Sequence, residues 1–404
     1  MFAVLKMPFF RDTSLKPMLL LSLFALKIAM AMAYGYIHFH YFYGGDTWAF
    51  LHNSRLIYES IFINPLYYLE LTFLPNARKP PDYLYDIIYP IAGWNDVRAY
   101  TIYRINAILQ LISGGYYYVH AVFFAFFSFV GSIGVYRTFV SYFPKCAKSM
   151  LIVLFAVPSI VFWSSGIHKE AVTLFCLGLI FFHFQQFLYK NKKQKRILYV
   201  LLLLFLLSIT RPHVCMMLMP MLLIWAWTNA KPKHTLLKII AVYVVGITAI
   251  TLVSYISPKV NIFAKIHDMR WYFVVYNVGS SEIWVKTFEP NLLGAIKNIP
   301  SALHNMTTYP RLWESKTIFH YFASAELIVL WLFFLLTLRF NSWKSLENKH
   351  FLYACLFFVF SFLIFMGLIV DNIGAIVRYR SVVFPFLLGV LAVVFDGKKI
   401  VPSS

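Results

Sequence analysis

Ten apolar runs dominate the chain, at about 18–40, 116–142, 149–163, 168–189, 197–210, 213–228, 236–256, 318–338, 351–370 and 381–396. A helix of roughly 20 apolar residues matches the hydrocarbon thickness of a bilayer. Inside that slab no water satisfies the peptide groups, so each run must close its own hydrogen bonds. Composition argues against reading the runs as core segments of a soluble protein. The 404 residues are 60% hydrophobic and only 13% charged, with mean hydropathy +0.69. A soluble domain of that make-up exposes too much apolar surface. The expectation is an all-α polytopic membrane protein of about ten transmembrane helices, forming a single transmembrane domain over residues 1–404.

The net charge of +20 suggests nucleic acid in a soluble chain, but no nucleic-acid motif is present and none is expected as a partner. Lys and Arg instead mark cytoplasmic segments and meet anionic lipid heads. With the N-terminus inside, the inner segments collect Lys6, Arg11 and Lys16, then Lys145 and Lys148, then the tract YKNKKQKR (189–196). Further along they collect Lys231, Lys233, Lys238, Arg339, Lys344, Lys349, Lys398 and Lys399. Of the acids, only Asp12, Glu347 and Asp396 fall on that side. Both termini are therefore expected in the cytoplasm. The run 18–38 is too long for the apolar core of a cleaved signal peptide and reads as a retained anchor. Cys146, Cys176, Cys215 and Cys355 are scattered without metal spacing and read as small buried hydrophobes. No cofactor is expected, and no pattern indicates a divalent metal.

Two larger segments, 43–115 and 257–317, face outside in this threading. Both are rich in aromatics and Pro and carry amphipathic stretches at 54–70 and 291–304. Short helices lying on the outer leaflet are expected there.

Ionisable groups near an apolar slab are costly and become functional candidates. Four sets gather on the outer side. The first follows the first run directly: YFYGGDTW (41–48). Two glycines permit a sharp turn and close approach, and Asp46 is a candidate general base. Asp46 also suits capping of the helix that follows. The second is SSGIHKE (164–170), at the tip of a short hairpin. Lys169 and His168 are candidate ligands for a phosphate, helped by a helix N-terminus, and Glu170 is placed to hold either of them. Helix capping by Ser165 is the plain alternative. The third is Arg211-Pro212-His213, at the tip of a second short hairpin. An arginine at that depth needs an anion, either a substrate phosphate or a carboxylate such as Glu170 or Asp371. The fourth is Asp371-Asn372-Ile373-Gly374 with Arg378 and Arg380, just before the last run. Two outer arginines oppose the positive-inside trend and match phosphate oxygens in pairs. Asp82, Asp86, Arg104, His267, Asp268, Arg270 and Glu282 are weaker candidates on the same side.

At these residues the chain resembles the GT-C superfamily of integral-membrane glycosyltransferases. Asp46 matches the family's catalytic acid, which lies in the first outer loop soon after the first helix. RYRSVVFPFLL (378–388) looks like the family's late R-Y-x-x-P-type segment, with Arg378 or Arg380 holding the carrier phosphate. FWSSGIHKE (162–170) is similar to a segment of bacterial polysaccharide-assembly membrane proteins. The resemblance implies a GT-C-like fold in the bacterial inner membrane. It implies transfer, with inversion, of a sugar from a polyprenyl-phosphate carrier to a lipid, glycan or protein acceptor on the periplasmic face. Many members carry an acidic pair in the first loop, whereas Asp46 has only Thr47 beside it; Asp82 and Asp86 are the candidates for a second acid. The rival enzyme reading is an oligosaccharide polymerase or ligase of the O-antigen type, acting on a lipid pyrophosphate. A flippase or transporter is the rival outside enzymes, although internal repeats are lacking and the charges crowd one face.

Overall fold

Helix boundaries fall where the sequence supplies a start or a stop. The computed structural model describes residues 2–76, 80–189, 194–276, 281–283 and 287–396. Part of the basic tract, 190–193, and Lys398 and Lys399 lie outside the described residues. The principal helices are α1 (Pro17–His40), α2 (Gly45–Glu59), α3 (Val97–Ser113), α4 (Tyr117–Tyr142), α5 (Ala147–Ala156), α6 (Pro158–Trp163), α7 (Lys169–Tyr189) and α8 (Gln194–Thr210). They continue with α9 (Pro212–Ala230), α10 (Thr235–Ile256), α11 (Ile262–Tyr276), α12 (Leu292–Thr308), α13 (Ile318–Arg339), α14 (Lys349–Gly367) and α15 (Ile373–Asp396). Proline opens α1, α6 and α9, where its missing N–H costs nothing. Asp96 caps α3 by accepting from the Arg98 N–H, and Gly114 ends it in the left-handed region. Among the described residues the only extended pairing is an isolated bridge between Glu282 and Asn372.

Eight of these helices, α1, α4, α7, α9, α10, α13, α14 and α15, are long and apolar enough to cross a membrane. The chain is a multi-pass helical membrane protein. Two expected runs fall short of that length. Run 149–163 is broken at Val157-Pro158 into α5 and α6, and α8 has 17 residues.

Contacts gather into two units: Met1–Ser141 with Leu154–Ala156 and Ile160–Cys215, and Tyr142–Val153 with Val157–Ser159 and Met216–Ser404. In the first unit α2 lies along α3, and α8 packs on both α7 and α3. Tyr100, Ile102, Asn106 and Ala107 are all fully buried, so α3 is enclosed on several sides. Within the segment 43–115, α2 and α3 pack on each other, while Phe62, Ile63, Leu66, Leu69, Phe73 and Leu74 stay exposed. Helices α4 and α7 cross at glycines: a Cβ on Gly178 would stand 1.9 Å from the Gly131 carbonyl oxygen.

In the second unit α14 packs against α12 and α15, and α15 against α13. A Cβ on Gly367 would stand 2.3 Å from the Ala302 oxygen, so α12 docks tightly on α14. Its Leu293 and Ile296 stay exposed, which keeps one amphipathic face. Within α13, Glu326 accepts from the Ser159 N–H at 2.7 Å and the Ser159 hydroxyl at 2.5 Å. That carboxylate satisfies an amide donor at the start of α6.

Candidate functional site

The Gly-Gly joint sets the first candidate. Tyr43, Gly44 and Gly45 have φ of 51°, 99° and 55°, a left-handed run that two glycines make affordable. The Gly44 N–H donates to the His38 oxygen at 2.7 Å, folding the chain back on the end of α1. Trp48 fastens the start of α2 by donating to the Gly35 oxygen at 3.0 Å, and it stacks on Tyr117. Gly35 leaves room for that contact: a Cβ there would sit 2.1 Å from the Tyr117 ring. Asp46 thus occupies the first turn of α2, its side chain 62% exposed.

The second sequence set comes to meet it. Asp46 Oδ2 lies 3.5 Å from His168 Nε2. His168 is buried, its Nδ1 paired with Glu170, and Glu170 pairs in turn with Arg211. The result is a row, Asp46, His168, Glu170, Arg211, that runs from a water-facing acid to a buried guanidinium. Three separate segments supply it: the joint after α1, the approach to α7, and the joint between α8 and α9. Phe50 and Tyr34 wall the imidazole, with ring centres at 5.6 and 6.2 Å.

Lys169 turns to a different acid. Its Nζ is 3.8 Å from Asp96 and 5.6 Å from the centre of the Phe50 ring. Asp96 also takes Arg98 Nε at 2.8 Å. Burial alone would raise the Asp96 carboxyl, but Arg98 and Lys169 outweigh it and hold it below the usual carboxylate range. His213 lies in the first turn of α9, within electrostatic reach of Arg211, Arg98 and Lys169.

The acid that joins this cluster is therefore Asp96, where Asp82 or Asp86 was expected. Both of those are exposed, and neither forms an ion pair among the described residues. Asp96 is brought in because it caps α3, which packs against the helix carrying Asp46. Sequence reading missed Asp96 and Arg98. The signal was there: a capping Asp before an Arg at the start of a periodic run. A fully buried lysine in α1, Lys27, was missed as well.

Arg104, also in the first unit, donates to the Leu71 oxygen at 3.2 Å and Asn76 Oδ1 at 2.8 Å; the other sequence candidates belong to the second unit. Arg378 and Arg380 do not precede the last helix, as expected. Helix α15 starts at Ile373 after Asn372, whose Oδ1 accepts from the Ala375 N–H, and both arginines lie within its second turn. Buried Arg380 donates to the Tyr309 oxygen at 2.7 Å and the Met306 oxygen at 3.3 Å. It thereby caps the C-terminus of α12. Arg378 is half-buried, with its guanidinium 5.3 Å from the Tyr379 ring centre. Asp371 is buried, which raises its carboxyl above the usual range. Nearby, burial pulls Arg270 down to about 10 while Asp371 acts against that shift. Among the described residues no group of three or more His, Cys, Asp or Glu side chains is placed to hold a metal ion.

Comparison of the chain with protein-family models, with curated proteins and with solved structures finds no match in any of the three.

Proposed function

We propose that this chain is a membrane glycosyltransferase, moving a sugar from a polyprenyl-phosphate carrier to an acceptor on the periplasmic face of the bacterial inner membrane. The observation that carries the reading is the exposed Asp46 carboxylate beside a buried imidazole held by Glu170, which itself pairs with Arg211. An acid open to solvent at the end of the first span, backed by an oriented base, suits proton removal from an acceptor hydroxyl. The hydroxyl oxygen attacks the anomeric carbon, and the carrier phosphate departs with the bonding electrons. Lys169 and Arg98 both pair with Asp96 in the same cluster, and a leaving phosphate needs such charge beside it. His168 and Arg211 each commit a nitrogen to Glu170, so their part is support of the acid-base end more than phosphate binding.

The same contacts support ten crossings. Asp46 against His168 sets the start of α7 beside the end of α1, and Glu170 with Arg211 sets the α8–α9 joint there as well. With α4 and α7 each crossing once, the short α5–α6 pair and α8 must each return the chain.

The test is turnover of radiolabelled polyprenyl-phosphate sugars by the full chain in nanodiscs. Asp46→Asn is expected to lower kcat by about 10²–10⁴-fold, the usual contribution of a general base, with donor affinity unchanged. Full activity in Asp46→Asn removes Asp46 from the mechanism.

A further inference from the structure

A second constellation lies in the turn between α3 and α4, outside the cluster described above. Asn106, Ser113 and His120 are buried there, at 0%, 6% and 0% exposure. Their hydrogen bonds fix one another's direction. Asn106 Nδ2 donates to the Ile102 oxygen at 2.8 Å, so its Oδ1 is the atom turned to His120 Nδ1, also at 2.8 Å. An amide oxygen only accepts. His120 must therefore carry its proton on Nδ1 and present a lone pair at Nε2. Ser113 Oγ stands 2.6 Å from that Nε2, so the hydroxyl donates to it. A serine donating to an imidazole, whose far nitrogen is held by a side-chain oxygen, is the arrangement that activates a serine nucleophile.

The surroundings suit that use. Ser113 is the last residue of α3, and Gly114 and Gly115 follow with φ of 61° and 81°. Gly114 is exposed and places no side chain over the serine. The Gly115 N–H donates to Ser113 Oγ at 3.2 Å, so the hydroxyl oxygen takes a backbone donor while its proton faces His120. Ile112 and Tyr116 on either side are 69% and 73% exposed, an apolar approach beside the turn.

We propose that Ser113, His120 and Asn106 form a serine nucleophile site for a carboxylic ester with an apolar acyl chain. Ser113 Oγ bonds to the carbonyl carbon as its proton passes to His120 Nε2. The ester C–O bond breaks with its electrons on the alcohol oxygen, which takes the proton from Nε2. Water then attacks the acyl-serine, giving its proton to Nε2, and the acid leaves as Ser113 regains a proton. Asn106 orients the ring but supplies no negative charge, so the imidazolium is stabilised less than beside an aspartate.

The test uses the full chain in nanodiscs with a fluorophosphonate probe, read by mass spectrometry at Ser113. The expected result is an adduct on Ser113 whose rate of formation falls at least about 100-fold in His120→Gln. Folded wild-type protein without that adduct, or His120→Gln labelled as fast as wild type, overturns the proposal. Asn106→Asp guards against a variant that fails to fold. Faster labelling in folded Asn106→Asp supports the site, because a carboxylate stabilises the imidazolium. Unchanged or slower labelling there overturns it. The probe needs no sugar donor, so its outcome is independent of glycosyl transfer.

Discussion

Lys27 shows how a single residue acquires its meaning from its neighbours. It sits in the middle of α1, fully buried, with Nζ 2.8 Å from Ser128 Oγ and 2.7 Å from Ser164 Oγ. No ion pair joins it to a carboxylate among the described residues. A lysine within the slab normally marks function, but these contacts describe a peg. Ser164 is where the chain leaves α6, and the non-helical stretch that follows is tolerated at depth because protein encloses it. The two serines also bond each other at 3.1 Å, and Ser164 reaches the Ile160 oxygen, so they stay satisfied without the amine. Lys27→Met, with similar length, is expected to cost less than about 1.5 kcal/mol. Lys27→Ala, which leaves a cavity, should cost about 2–5 kcal/mol. Denaturant unfolding in detergent checks the order; equal losses would mean that the ammonium itself holds the turn. Asp46 was legible at this scale because its two glycines advertise a turn. The structural role of Arg380 was not, because the carbonyls it caps, Met306 and Tyr309, lie some 70 residues away in sequence.

Between elements, glycine decides how closely helices approach. Cβ atoms on Gly131 and Gly134 would stand 2.2 Å from the Leu174 oxygen and 2.5 Å from the Gly178 oxygen. The backbones of α4 and α7 therefore touch, the packing that small residues permit between membrane helices. That contact helps set the start of α7, where His168 just ahead of the helix and Lys169 and Glu170 in its first turn lie at the Asp46 end of α1. Gly178→Leu is expected to abolish the folded protein, seen as loss of the monodisperse peak in gel filtration. Gly246 of α10 has nothing within 4 Å of its added Cβ. Gly246→Ala should then gain up to about 1 kcal/mol from helix propensity alone. A folded, active Gly178→Leu would discard the close crossing. Helix periods were readable from the apolar runs, including the joint at Pro212; the break at Val157-Pro158 inside the run 149–163 was not. Which glycines face another helix was not, since each has the same local sequence signal as the unpartnered Gly246.

Across the whole molecule the ten-helix threading proposed above draws on two separate arguments, charge and contacts within the first unit. Charge asymmetry orders the loops through their interaction with the membrane. The ion pairs of Asp46 with His168 and of Glu170 with Arg211 tie three chain joints together within one unit. A reporter fused after Lys193 is expected to read cytoplasmic, and one near Glu289 periplasmic. If α5–α6 and α8 failed to cross, the Lys193 fusion would read periplasmic, and the ten-helix threading would fall with it.

The sequence by itself determined the class: an all-helical chain that crosses a membrane many times. Hydrocarbon leaves a run of apolar residues no other way to satisfy its backbone, and composition excludes a soluble core. It also marked Asp46, SSGIHKE and Arg211 as costly polar positions needing a reason. Only the tertiary structure decided which of them meet. Asp96 displaced Asp82 and Asp86 because a helix cap and a packing partner brought it there. Arg380 became a cap for α12 because folding set carbonyls around it. The Asn106, Ser113 and His120 network became visible only when two helix ends were folded against each other. Partners in such sites are set by side-chain directions across separate helices, and those directions are not contained in any local stretch of the chain.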